Sequence, residues 1–206
     1  MTEIVFILDK SGSMQSIKTD AIGGFNQFIT EQKEVVDDTT MSLVLFDSHY
    51  QKVYENIPLN EVNTLTEQEY RPSSMTALYD AIGMTIETIS KRKKAEDRVL
   101  CAILTDGEEN RSTQYTKEAI FNMIEDCKNN GWEFIFLAAN QDAMKAAGAI
   151  NISASNSMNF SADTGGMSQT YAVLSKSSKM YRASVQSSMS TLVQDSLKDI
   201  ENESKK

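Results

Sequence analysis

Three unbroken apolar runs divide the first two thirds of the chain: Ile4-Val5-Phe6-Ile7-Leu8, Val99-Leu100-Cys101-Ala102-Ile103-Leu104 and Phe134-Ile135-Phe136-Leu137-Ala138-Ala139. None alternates with polar residues, the pattern of strands buried on both faces of a parallel sheet under helices. Between them lie segments with helical spacing. The first carries Ile17, Ala21, Ile22, Phe25, Phe28 and Ile29, the second Leu78, Ala81, Ile82, Thr85, Ile86 and Ile89, and the third Ala119, Ile120, Met123, Ile124 and Cys127. Each set recurs at i, i+3 and i+4 and predicts one buried face. Thr116 is placed to cap the third helix, with Tyr115 and Ile120 as a hydrophobic staple and Gly131 closing its far end. Met41–Phe46 and Gln51–Ile57 read as strands joined only by Asp47-Ser48-His49-Tyr50, a link too short for a parallel return, so they form an antiparallel hairpin.

The resulting order, β α ββ α β α β and more beyond, predicts an α/β fold: a doubly wound, mostly parallel sheet with one antiparallel edge strand. After Asn151 the signal weakens. Met158-Asn159-Phe160 reads as a last short strand and Met167–Met180 as a last helix, buried through Tyr171, Leu174 and Tyr181. The domain is expected over residues 1–181. Residues 182–206, rich in Ser, Lys, Asp and Glu, are expected to extend that helix or form a flexible tail.

Composition narrows the function classes. The chain has 206 residues and a formal charge of −9, which argues against a nucleic-acid binder with a basic face. The one dense basic run, Lys91-Arg92-Lys93-Lys94, falls at a helix end, where cations favour the dipole. Cys101 and Cys127 read as reduced core thiols rather than a disulfide. The first apolar run is too short for a signal peptide and no stretch approaches a membrane span. The cytoplasm is the expected location, with export by a route the sequence does not show as the alternative.

The chemistry gathers where strands end. The first run ends in Asp9-Lys10-Ser11-Gly12-Ser13, the second in Thr105-Asp106-Gly107, and Ser73-Ser74-Met75-Thr76 precedes the second helix. In an open α/β sheet, ligands bind beyond the carboxyl ends of the strands where strand order reverses. Neighbouring strands there would bring Asp9, Ser11, Ser13 and Asp106 to one crevice, with Thr76 beside them. Two carboxylates and several hydroxyls are hard ligands, suited to Mg²⁺, Mn²⁺ or Ca²⁺ rather than Zn²⁺ or Cu²⁺. Gly12 lets the loop bend so that both serine hydroxyls face one ion. Neutral hydroxyls quench the ion little, so a metal held this way gains from a carboxylate supplied from outside.

Asp-Lys-Ser-Gly-Ser is similar to the Asp-x-Ser-x-Ser signature of von Willebrand factor A domains, their metal-ion-dependent adhesion site. Thr76 and Thr105-Asp106-Gly107 fall where that family has its third hydroxyl and second aspartate. The resemblance spans about residues 1–180. It implies a Rossmann-like, six-stranded sheet with helices on both faces. It also implies a non-enzymatic binding module in which Ser11, Ser13 and Thr76 meet Mg²⁺ directly or switch with ligand state, Asp9 and Asp106 act through water, and a partner protein supplies the Asp or Glu that completes the shell. The chain departs from the family at Ser74-Met75-Thr76, where Gly-Gly-Thr is common, so loop freedom around Thr76 is in question.

Blander roles stand beside these. Ser11 and Ser13 suit turns and N-caps, Glu108, Glu109 and Asn110 suit a solvated loop or a rim that tunes the site's charge, and Asn140-Gln141-Asp142 suits a cap or the site's rim. His49 reads as incidental and distant, and Gly23 and Gly24 as places where the first helix nears the sheet. A metal-dependent phosphatase is the rival enzyme reading. It would want a second aspartate where Ser11 stands, and no lysine or histidine offers an evident replacement as general acid. A degenerate domain that binds partners without metal is the third reading.

Overall fold

The computed structural model describes residues 1–139, 143–160, 164–183 and 188–203. Among them, six strands form one sheet: β1 (Thr2–Asp9), β2 (Thr39–Phe46), β3 (Tyr50–Pro58), β4 (Arg98–Thr105), β5 (Trp132–Ala139) and β6 (Ser157–Phe160), in the order β3-β2-β1-β4-β5-β6. Every pairing is parallel except β2 with β3, the hairpin at one edge. The helices are α1 (Lys18–Gln32), α2 (Leu78–Ser90), α3 (Lys117–Asn129), α4 (Ala143–Gly148), α5 (Thr164–Ala183) and α6 (Met189–Glu203). A 3-10 turn over Gly12–Ile17 leads into α1.

The sheet divides two cores. Successive side chains of a strand face opposite ways. Ile4, Phe6 and Leu8 therefore enter a cluster with Phe25, Phe28 and Tyr171, while Val5 and Ile7 enter another with Leu78, Ile82 and Ile86. This two-sided burial is why the run carries no polar residue, each such side chain contributing about 1.5–3 kcal/mol. Edge strand β3 is half-exposed along its length. Thr116 accepts the capping bond from the N–H of Ala119 at 3.2 Å, and Gly131 closes α3 at φ +80°.

Two features depart from the sequence pattern. Gly24 makes room for a helix, not for the sheet: a Cβ there would lie 2.1 Å from the Tyr171 ring of α5, whereas one on Gly23 would meet nothing within 4 Å. The polar stretch past Ala183 carries a discrete helix, α6, whose Met189, Leu192 and Val193 are buried in the same cluster as Phe6. Among the described residues no helix is long and apolar enough to cross a membrane.

Strand order sets the position of the site. β1 is followed through α1 by β2 on one side, while β4 lies on its other side. The chain reverses direction across the sheet between β1 and β4, and the carboxyl ends of these strands open a crevice between their outgoing loops.

Candidate metal centre

The register of β1 on β4 runs from Thr2 opposite Arg98 to Leu8 opposite Leu104, so Asp9 and Thr105 leave the sheet side by side. The Thr105 hydroxyl donates to Asp9 Oδ2 at 2.6 Å. Asp9 Oδ1 accepts the N–H of Ser11 at 2.6 Å, which folds the loop back over the carboxylate. The hydroxyls of Ser11 and Ser13 then stand 3.1 Å apart. Ser13 donates to Asp106 Oδ1 at 2.6 Å. Thr76 arrives from the third loop. A Cβ on Gly107 would lie 3.1 Å from Thr76 Oγ1 and 3.5 Å from Ser13 Oγ, so both hydroxyls border the same glycine. All five residues named from the sequence are thus brought together. Ser11 holds the N-cap position of the 3-10 turn, yet its hydroxyl makes no capping bond.

The loops are bound to one another around this cluster. The N–H of Gly12 donates to the carbonyl of Ser74 at 3.1 Å, and that of Ser73 to the carbonyl of Lys10 at 2.8 Å. Ser74 takes φ +66°, the left-handed conformation that glycine enters at no steric cost. The serine accepts that strain, and its hydroxyl is bonded to Ser48 at 2.7 Å. With serine in place of glycine, the Thr76 hydroxyl still borders Gly107. Asn110 exchanges two bonds with Thr76: its Oδ1 accepts the Thr76 N–H at 2.9 Å and its own N–H donates to the Thr76 carbonyl at 3.0 Å. Beneath them, the buried Tyr70 phenol donates to the Asp9 carbonyl at 2.5 Å.

Several of these supports are absent from the sequence reading. Glu109 and Asn110 are not idle loop residues, since Glu109 accepts the N–H groups of Tyr79 and Ser112 at the start of α2 and in the loop after β4. Buried Asp80 accepts three N–H groups, from Thr113, Gln114 and Tyr115, each at 2.9 Å. The hairpin turn abuts the cluster rather than lying far from it. Asp47 accepts the Lys10 ammonium at 3.1 Å, the Ser73 hydroxyl at 3.0 Å and the N–H of His49 at 2.7 Å. Lys10 and His49 thus both converge on Asp47, and neither is a free acid poised over Asp9. Spacing could have flagged Tyr70, a lone aromatic in a polar loop, and Thr105, level with Asp9 at the end of a paired strand. Asn140, Gln141 and Asp142 lie outside the described residues.

The site is electrostatically tense. Burial pushes the Asp9 carboxyl up from 3.8 to about 6, against the bonds from Thr105 and Ser11, and the nearby charge of Asp106 adds to the rise. Burial also raises Asp106, partly offset by the Ser13 hydroxyl. A carboxylate whose charge is disfavoured by burial gains from a nearby cation. Among the described residues no group of three or more His, Cys, Asp or Glu could hold a metal, so an ion here would depend on hydroxyls. The donor set fits a small hard cation: oxygens at right angles around an ion held at about 2.0–2.1 Å stand about 2.9 Å apart, close to the 3.1 Å between the Ser11 and Ser13 hydroxyls. Gly12 and Ser13 are exposed while Asp9, Ser11 and Thr76 are buried, so the cluster opens to solvent on one side only.

The family model described as the von Willebrand factor type A domain matches residues 3–173. No curated protein sequence is significantly similar to the chain. Solved structures with the same fold include a von Willebrand factor type A protein from Catenulispora acidiphila, 14% identical with a TM-score of 0.58, covering 84% of this chain and 41% of its own. The ArnB paralog VWA2 from Sulfolobus acidocaldarius is 18% identical with a TM-score of 0.56, covering 86% and 44%. The pilus adhesin SpaC from Lactobacillus rhamnosus GG is 14% identical with a TM-score of 0.68, covering 85% and 29%. The chain spans less than half the length of these proteins. With a β1–β4 switch point, an Asp-x-Ser-x-Ser loop closing over it and a family match along most of its length, the chain belongs to the von Willebrand factor type A domain family.

Proposed function

We propose that this domain is a metal-dependent protein-binding module of the adaptor or adhesion type. Ser11, Ser13 and Thr76 would hold Mg²⁺ by their hydroxyls, with Mn²⁺ or Ca²⁺ as substitutes, and Asp9 and Asp106 would act through water. A partner's Asp or Glu would complete the shell. The observation that carries this reading is the run of contacts from Ser11 Oγ through Ser13 Oγ to Asp106 Oδ1, in steps of 3.1 and 2.6 Å, from the buried Ser11 to the exposed Ser13. The state of Asp9 supports it further, because both its oxygens already accept protein bonds, which suits an outer role. Neutral hydroxyls leave the ion electrophilic, and the bound ion supplies an attraction for one external carboxylate. Domains of this family serve commonly in adhesion and protein interaction, in keeping with the pilus adhesin among the matched structures. The two free, buried cysteines fit a reducing compartment, and the cytoplasm is the location we assign.

A pull-down with the intact protein tests the reading. Partners captured in Mg²⁺ should vanish both in chelator and with the Ser11→Ala/Ser13→Ala variant. Partners that persist in chelator and on the double variant would place binding elsewhere on the domain.

A further inference from the structure

The chain has five arginines. Three serve the fold. Arg92 donates to Glu3 at 2.6 Å, Arg182 to Asp37 at 2.7 Å, and Arg98 lies over the Tyr181 ring at 3.8 Å. The other two, Arg71 and Arg111, are exposed, and among the described residues neither guanidinium has an ion pair or a side-chain hydrogen bond. A shortage of acids does not explain this, since the chain has 29 acidic residues against 20 basic. The carboxylate nearest to Arg111 in sequence is occupied, for Glu109 accepts the N–H groups of Tyr79, Arg111 and Ser112 and the Ser112 hydroxyl.

Both unpaired arginines adjoin, in sequence, residues bonded to the loops of the oxygen cluster. Arg71 sits between Tyr70, bonded to the Asp9 carbonyl, and Ser73, bonded to the Lys10 carbonyl. Arg111 follows Asn110, the residue that brackets Thr76. Bonds made by these neighbours tie the backbone of each arginine to the loops that carry the cluster. A guanidinium is a planar fork that receives a carboxylate bidentately. On a protein of net charge −9, unpaired cations beside the crevice also provide a local attraction for an anionic segment that the whole molecule would repel.

We infer that Arg71 and Arg111 receive the flanking carboxylates of the partner segment, so that the ligand is an acidic stretch with several Asp or Glu rather than a single exposed carboxylate. This rests on the reading that the ion takes one of those carboxylates.

Fluorescence polarisation with the intact protein tests the inference, using two labelled peptides of equal length. One has a single Glu among Gly and Ser, and the other has the same Glu with Asp on both sides. In Mg²⁺ the acidic peptide should bind about 4- to 25-fold more tightly, and Arg71→Gln and Arg111→Gln should each remove about two- to five-fold of that advantage. The advantage should shrink in about 0.5 M salt. Binding of the single-Glu peptide and Mg²⁺ uptake by calorimetry should be unchanged in both variants. Equal affinity for the two peptides, failure of either to bind at millimolar concentration, or an undiminished advantage in the double variant that still takes up Mg²⁺ would overturn the inference. So would tighter binding of a matched phosphoserine peptide. Absence of Mg²⁺ uptake by the intact protein would instead overturn the metal reading. The arginine assignment would then be decided in chelator, surviving if the double variant weakens acidic-peptide binding and falling if it does not.

Discussion

At the residue scale the cluster is a set of compromises that a cation would relieve. Asp9 is buried beside a second carboxylate and its carboxyl is raised to about 6. The sign of the pH effect follows from linkage. In the metal-free fold Asp9 binds its proton more tightly than in the unfolded chain, so its contribution disfavours folding progressively as pH rises from about 4 to about 6. Metal binding runs the other way, because an ion competes with that proton. Mg²⁺ affinity is expected to fall as pH drops through about 6, with proton release on binding near that pH. Calorimetry in buffers of different ionisation enthalpy checks this, and an affinity flat from pH 5 to 8 would contradict it. A second expectation concerns Tyr70. Removing its hydroxyl leaves the buried Asp9 carbonyl short of a donor, and Tyr70→Phe should cost about 1–3 kcal/mol in urea unfolding.

At the element scale the packing of α1 against α5 gives a pair of predictions with opposite signs. Gly24→Ala places a methyl group in the Tyr171 ring, and overpacking of about 1–3 kcal/mol outweighs the gain in helix propensity. Gly23→Ala meets open space and should stabilise by about 0.5–1 kcal/mol. Denaturant midpoints of the two variants on either side of the parent value decide the matter; midpoints that shift the same way would reject this view of the interface. The strands and the faces of α1, α2 and α3 were legible because burial on two sides leaves an unbroken apolar run and burial on one side leaves a 3.6-residue period. The hairpin was legible because its link is short. Helix α6 was not, because Met189, Leu192 and Val193 are spaced among Ser, Gln, Lys and Asp, and the elements they pack against, α5 and β5 among them, are placed by the whole fold. Gly24 was misread for a related reason, since its neighbour Tyr171 lies far along the chain.

At the scale of the whole molecule, the topology gives the site its location. Placing β4 beside β1 makes the loops after both strands, and the loop before α2, share one end of the sheet. The five oxygen-bearing residues could be named in advance because each follows a readable strand or precedes a readable helix. Their supports could not. Asp47, Asp80, Glu109 and Asn110 are recognisable only after the loops have met, because each also bonds a group more than 25 residues away along the chain: Lys10 and Ser73, Thr113 to Tyr115, Tyr79, and Thr76. Coupling between site and fold follows. A ligand that binds only the native state stabilises it by about 2.7 kcal/mol at a hundredfold excess over Kd, worth about 5–10 °C in Tm for a domain of this size. Mg²⁺ should raise Tm by that amount in the parent and leave Ser11→Ala/Ser13→Ala unchanged, as read by calorimetric melts.

The most direct measurement of the central claim is a crystal of the intact protein grown with Mn²⁺ and examined by anomalous scattering. An anomalous peak within about 2.1–2.3 Å of the Ser11 and Ser13 hydroxyls, with Asp9 and Asp106 one water away, is the predicted result. An empty crevice at saturating Mn²⁺, with Ser13 still bonded to Asp106, would contradict it.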